Sequence, residues 1–270
     1  MSTHQLTQRW GKQTQLAIEN FPVSGERIPA ALIRALAMVK SACASVNAEL
    51  GAVPQPIADA IRTAADEVAE GQLADQFPVD VFQTGSGTST NMNMNEVLAS
   101  RATELLEQGQ PGQHVHPNDH VNASQSSNDT FPSAARIAAA LQITNVLLPA
   151  LRALQDSLAE LAARHAATVK MGRTHLMDAV PMTFGQEVGG WARSVELAAD
   201  RVRSCLPRLS ELPLGGTAVG TGLNAPVGFG ARVAARLSAR TGVTFVEAED
   251  HFEAQASQDA LTEAAATMKV

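Results

Sequence analysis

The chain alternates between long stretches with helical hydrophobic spacing and short stretches with almost no apolar residues. From residue 29 to 50, Ile33, Leu36, Ala37 and Lys40 fall at helical spacing, with Pro29 suited to a first turn and Gly51 as a stop. A second helix is expected over 56–70, closed by Gly71. Asp66 and Glu67 lie near its end, where the helix dipole disfavours carboxylates, so local partners are expected for both. Residues 75–81 read as irregular. A helix follows from Glu96 to Gly109, and a long one over 133–167. There Leu147, Leu151, Leu154, Leu158 and Leu161 recur in steps of four and three, the seam of a helix packed in a bundle. Pro149 should kink this helix or mark a boundary. Further helices are expected over 186–212, 229–241 and 253–270, the last still running where the chain stops. The pattern therefore predicts a mainly α protein.

Three polar stretches interrupt the helices. The richest, residues 114–133, reads HVHPNDHVNASQSSNDTFPS and holds three histidines, four serines, two aspartates and three asparagines. Short hydroxyls and amides of this kind hold a small anion at close range. His114, His116 and His120 with Asp119 could suggest metal ligands, but the surrounding serines and asparagines are poor ligands for a transition ion, and no metal is expected. The second stretch, GSGTSTNMNMN over 85–95, combines glycine freedom with Ser86, Thr88, Ser89, Thr90 and Asn91 at or near a helix N-terminus. It lacks the Gly-Lys-Ser/Thr ending of a P-loop. The third, GRTHLMDAVPMTFGQ over 172–186, is a non-helical piece bracketed by Gly172 and Pro181. It sets Arg173, a partner for carboxylates, beside Thr174 and His175, the side-chain type suited to proton transfer near neutral pH. Gly220-Thr221-Gly222 weakly fits a dinucleotide fingerprint, but no strand is expected before it.

Composition narrows these options. Apolar residues make up 45%, aromatics only 4%, and tyrosine is absent, which favours closely packed helices. A formal charge of −7 argues against a nucleic-acid partner. It also opposes anion binding, although screening confines that field to roughly 8 Å, so local donors must decide. Cys43 and Cys205 read as buried hydrophobes rather than a disulfide or redox pair. No apolar run long enough for a membrane span and no targeting segment is evident, which leaves a cytoplasmic location as the expectation.

The strings GSGTSTNMNMNEV, HPNDHVNASQSSNDTFP, GRTHLMDAVPMTFGQE and GGTAVGTGLN, in this order, resemble the class II fumarate hydratase family of the fumarase/aspartase superfamily. The similarity runs over residues 11–270. Aspartase, the nearest alternative, typically has glutamine at the position of His175, Ser-Thr-Asn in place of Ser126-Ser127-Asn128, and alanine at Ser86. A further alternative is an inactive homologue that keeps dicarboxylate binding.

The resemblance implies a lyase of the tricarboxylic acid cycle that reversibly hydrates fumarate to L-malate without a cofactor. It implies that Ser86, Gly87, Thr88, Ser126, Ser127, Asn128 and Thr174 bind substrate, and that His175 is catalytic. His116, Asn118 and Asp119 would form an accessory dicarboxylate site. It further implies a homotetramer with sites shared between subunits, and an N-terminal domain (1–126) followed by a long-helix bundle (127–270). Family members usually carry a short extra segment before the region matching Trp10. Their third signature, GSSxMPxKxNP, supplies a serine base, a lysine and an asparagine, and would lie beyond Val270. None of Lys12, Lys40, Lys170 and Lys269 sits in such a motif. The resemblance thus implies an incomplete enzyme.

Overall fold

The structure, a computed structural model, describes residues 8–107, 109 and 111–270; the start of the N-terminal segment lies outside the described residues. The chain divides into two compact units. Unit 1 comprises Met1–Ala139 and Ser210–Gln258, and unit 2 comprises Ala140–Leu209 and Asp259–Val270.

Unit 1 is built on α2 (Ala30–Glu49), which packs against α3 (Gln55–Ala69) and α8 (Phe229–Thr241). With neighbours on several sides, α2 buries more than a stripe: Leu36, Ala37, Val39, Cys43 and Val46 are all inside. Its alanines permit that close approach. In α3, Ile57, Ile61, Ala64 and Val68 form one buried face, while Asp59 and Arg62 point outward. Gly51 and Gly71 end these helices at φ +72° and +95°, the left-handed conformation glycine adopts without strain. Both carboxylates near the end of α3 have partners. Asp66 accepts from the Ser41 hydroxyl at 2.8 Å and pairs with Arg240, and Glu67 takes a two-pronged contact from Arg101 at 2.7 Å on each oxygen.

Short helix α1 (Lys12–Asn20) hangs on Glu96, whose carboxylate accepts from the backbone N–H groups of Gly11, Gln13 and Thr14 and from the Thr14 hydroxyl. Asp80 similarly gathers the loop around Ser24 and Gly25. Burial pushes its carboxyl up, but N–H bonds from Phe82, Ser24 and Gly25, with the Ser24 hydroxyl, outweigh that and hold it down at about 2.

Several expected boundaries move. Helix α4 spans Thr88–Glu107, so the polar run is its first two turns rather than a loop before Glu96. Asn91, Asn93 and Asn95 are tolerated there because α4 is buried among groups that pair with amides; Asn93, for instance, donates to the Gln76 carbonyl at 3.0 Å. Helix α5 runs Ser127–Gln142 with Pro132 inside it, and a π-helical turn, Ile143–Leu147, follows before α6 (Leu148–Arg164). Pro149 therefore marks a boundary, as expected. The expected helix over 253–270 is two: α9 (His251–Ala256) and α10 (Asp259–Thr267). Ser257 between them is extended, and the buried Arg136 guanidinium takes the Ala254 and Ser257 carbonyls at 3.0 and 3.3 Å. A small parallel pair, β3 (Glu211–Leu212) with β4 (Val246–Glu247), flanks α8.

In unit 2, α6 packs along α7 (Phe184–Leu209), and α10 joins α7 through Arg208, which holds both oxygens of Glu263 at 2.6 Å. The segment expected to be non-helical is an antiparallel hairpin, β1 (Val169–Thr174) with β2 (Met177–Thr183). The expected leucine core of α6 is absent in this chain: Leu147, Leu151, Leu158 and Leu161 are half-buried, and Leu154 is 49% exposed. The single seam with α7 leaves most of the α6 surface uncovered.

Ala30–Glu49 and Ser127–Arg164 are each long and apolar enough, by length and composition, to cross a bilayer. Neither is an unbroken apolar run; alanine-rich helices reach the same average with polar residues among them. The first of the two is mostly buried inside unit 1.

Candidate active site

Two of the three polar stretches meet at the N-termini of α4 and α5. Ser86 and Gly87 precede α4, Thr88 opens it, and Ser127 and Asn128 open α5 directly after Ser126. The first turns of these helices carry backbone N–H groups with no intrahelical partner, and their dipoles favour negative charge there. A side-chain bond joins the two ends: Asn91 Nδ2 donates to Ser127 Oγ at 2.9 Å.

Gly87 is required by geometry. Its φ is +72°, and a Cβ there would sit 2.3 Å from the Phe131 ring of α5. Beside it the Ser86 and Thr88 hydroxyls lie 2.7 Å apart. Asn128 is exposed, its Nδ2 held by the Ala218 carbonyl at 2.7 Å, and its backbone N–H donates to Ser126 Oγ at 3.3 Å.

Beneath these residues lies a buried charged layer that sequence reasoning missed. Asp129 is fully buried and accepts from the backbone N–H groups of Ser126 (2.9 Å), Gly215 (3.2 Å) and Thr217 (2.8 Å). Burial nevertheless dominates and raises its carboxyl above the ordinary range. The bonds to Gly215 and Thr217 dock the loop GGTAVGTG against the N-terminus of α5. Lys40, on α2, is also fully buried and donates to Asn122 Oδ1 and Gln125 Oε1, each at 2.9 Å. Burial lowers its amine to about 7, against the upward pull of Cys43 and Asp129. Burial pushes the Cys43 thiol strongly up, against the pull of Lys40. A lysine at a helical core position between Val39 and Cys43 was the available signal.

The histidine cluster forms a π-helical turn, Pro117–Val121, which includes Asn118. His116 caps it: its Nδ1 accepts from the Asp119 N–H at 3.1 Å and lies 3.2 Å from Asp119 Oδ2. His120 Nδ1 accepts from the His116 N–H at 2.9 Å. Burial and the neighbouring His116 and His114 lower the His120 pKa, against Asp119. His116 and Asp119 are exposed, and no three metal-ligand side chains converge among the described residues.

Thr174 and His175 belong to unit 2. His175 and Leu176 form the two-residue tip of the hairpin, with φ of +49° and +60°, and Thr174 pairs with Met177 across it. Two positive φ values are the signature of the tight hairpin turn usually built from Asn-Gly. Here they are carried by side chains that pay strain of order 1 kcal/mol each. The whole tip is exposed, Leu176 by 98%. An apolar cavity of about 240 Å³ lined by Arg27, Ile33, Arg34, Val68 and Phe77 shares no residue with any of these groups.

The two helix ends, brought together over a buried lysine, carry donors whose chemistry suits a small anion. Comparison with known proteins gives the family: the one described as Lyase matches residues 2–270, and the chain belongs to it. Class II fumarate hydratase of Mycobacterium tuberculosis (strain ATCC 25618 / H37Rv) is 56% identical over 261 residues, covering 96% of this chain and 54% of that protein. The class II fumarate hydratase of Corynebacterium glutamicum is 53% identical over 262 residues, covering 97% and 54%. The crystal structure of class II fumarase from Schistosoma mansoni superposes with a TM-score of 0.94 at 39% identity, covering 97% of this chain and 58% of that one. The mainly α fold expected from the sequence is therefore that of the fumarase/aspartase type. The chain spans about half the length of the curated relatives it matches.

Proposed function

We propose that this chain is the N-terminal part of a class II fumarase, which reversibly hydrates fumarate to L-malate in the tricarboxylic acid cycle. The observation that carries the proposal is the meeting of the α4 and α5 N-termini through the Asn91–Ser127 bond, with hydroxyl and amide residues at both ends. In this reading Ser86, Gly87 and Thr88, with Ser126, Ser127 and Asn128, hold the substrate carboxylates, and Thr174 adds a contact. His116, Asn118 and Asp119 form the accessory dicarboxylate site.

The chemistry follows from where charge develops. Removing the C3 proton of malate leaves an electron pair that flows into the adjacent carboxylate. Fixed donors around that carboxylate stabilise the charge as it grows, each by up to ~3–4 kcal/mol. The C2 hydroxyl then leaves with a proton as water, forming the double bond of fumarate. His175 supplies that proton and, in the reverse direction, takes one from the attacking water. The strained, exposed hairpin tip that presents it supports a functional rather than a packing role.

The same reading carries the wider assignments: a homotetramer with sites shared between subunits, a cytoplasmic location, no membrane or nucleic-acid partner, and an N-terminal domain (1–126) followed by a bundle domain (127–270). The uncovered apolar surface of α6 supports assembly. The test is loss of the ultraviolet absorbance of fumarate in protein that also carries the GSSxMPxKxNP segment. His175→Asn should cut kcat by roughly 10²–10⁴-fold with a smaller change in KM. Unchanged kcat overturns the assignment, and ammonia release from aspartate favours the aspartase-like alternative.

A further inference from the structure

Lys40 has no assigned role in the proposed chemistry, yet it is one of the large side chains that are fully buried among the described residues. A charged amine can only donate hydrogen bonds, which fixes the direction of every bond that follows. Asn122 must turn its oxygen toward Lys40 Nζ, at 2.9 Å. That same oxygen lies 3.2 Å from the Asn91 amide, so Asn91 presents its nitrogen. The nitrogen also lies 2.9 Å from Ser127 Oγ, so Ser127 accepts there. Gln125 is oriented by the same amine, its oxygen on Nζ and its nitrogen on the Val121 and Ala123 carbonyls. Asn91 Oδ1 is left as a buried acceptor with no protein partner, the cost of holding the amide in this sense.

We propose that Lys40 is a positioning residue: it fixes the polarity of the chain Lys40–Asn122–Asn91–Ser127, so that the Ser127 hydroxyl proton is free to be given to a bound carboxylate. This deepens the dicarboxylate reading above and rests on it. Without a fixed direction, Ser127 could spend its proton on the Asn91 oxygen and present lone pairs to an anion, which repel it. The amine also places a positive charge behind two helix N-termini, in a chain whose net charge is −7. The charged and titratable groups facing it are Asp129 from α5 and Cys43 from its own helix; Asn122 and Gln125 are neutral. The amine ionises around neutral pH, whereas both carboxyls of fumarate are ionised throughout that range. Its deprotonation leaves N–H donors but removes the charge assistance that makes them strong.

Two readouts on the full chain test this. Side-chain amide NMR of Asn91 and Asn122 is followed from pH 6 to 9, and calorimetric binding of fumarate is measured over the same range in the wild type and in Lys40→Met. The amide resonances should titrate with the Lys40 amine, with a midpoint about 7. Fumarate should bind about tenfold more weakly once it is neutral, the size of one lost charge-assisted bond. Lys40→Met should bind weakly at every pH and lose that step; a step that survives in Lys40→Met would assign it to another group and overturn the proposal. Amide resonances that do not move while Lys40 titrates overturn the proposal, as does equal fumarate binding by Lys40→Met. Should that variant not fold, the wild-type titration alone decides between the two. Amides that titrate in a protein that never binds fumarate support the fixed polarity and overturn the dicarboxylate reading instead.

Discussion

Units 1 and 2 differ in what they bury. Unit 1 hides polar side chains: Lys40, Asn47, Asn91, Asn95, Asp129 and Arg136 are all buried. Unit 2 displays apolar ones: Val146, Leu154, Met177, Val180 and Trp191 are each about half exposed or more. A buried polar group is costly unless its partners are arranged around it. Unit 1 supplies them from its own backbone and amides, so its interior is specified internally. Unit 2 has no buried residue along the whole of α6. The difference separates a part that buries its polar side chains among partners of its own from a part whose longest apolar pattern, along α6, stays uncovered in this chain.

The largest effect expected comes from opening that polar interior. Asp129→Ala leaves the N–H groups of Ser126, Gly215 and Thr217 without their acceptor and strands the Lys40 amine without its opposite charge. Removing one member of such a buried set costs about 3–5 kcal/mol, read as a lower urea midpoint. A loss under ~1 kcal/mol would mean that unit 1 does not depend on its buried charges. Next, Leu36→Ala in fully buried α2 should cost ~2–5 kcal/mol, transfer and cavity together.

A smaller effect has a direction set by Lys40. Its amine sits at about 7 in the fold against 10.5 ordinarily, so between these values the unfolded chain holds a proton that the folded chain does not. Stability should therefore rise with pH above 7, by at most ~1.4 kcal/mol per pH unit. Above pH 9 the Cys43 thiol, pushed up by burial, acts in the opposite sense, so the clean window is pH 7 to 9. Urea unfolding across that window should show the slope in the wild type and not in Lys40→Met.

What was legible in the sequence was whatever local chemistry decides. Gly51 and Gly71 stop helices because their backbone angles suit glycine, Pro149 ends a segment, and Asp66 and Glu67 acquired partners because a helix C-terminus repels them. The three polar stretches were legible as well, since their side chains have no packing use. The roles proposed for Ser86, Thr88, Ser127 and His175 came from the family resemblance. What escaped depended on tertiary context. The start of α4 at Thr88 requires neighbours that pair with its asparagines, and the break at Ser257 coincides with Arg136, 121 residues away. The 172–186 stretch gave no clear alternation, because its hairpin is exposed on both faces and bulged between Met171 and Arg173. Lys40 looked like one more helical position, because only the fold brings Asn122 and Asn91 to it.

The smallest stability effect makes the sharpest test of unit 2. Leu154 lies on the leucine seam, where a period of four and three normally marks a core, yet it is 49% exposed. Leu154→Gln should change unfolding stability by no more than ~0.5 kcal/mol, a tenth or so of what Asp129→Ala costs. If the seam is the surface through which copies of the chain assemble, the same substitution should weaken self-association, seen as a lower weight-average mass in sedimentation equilibrium. A polar group would then have to enter an apolar interface without a partner. Unchanged assembly with unchanged stability would mean that the seam is ordinary surface. A loss of several kcal/mol in stability would mean that α6 is covered within a single chain, and that the contrast between the two units does not hold in solution.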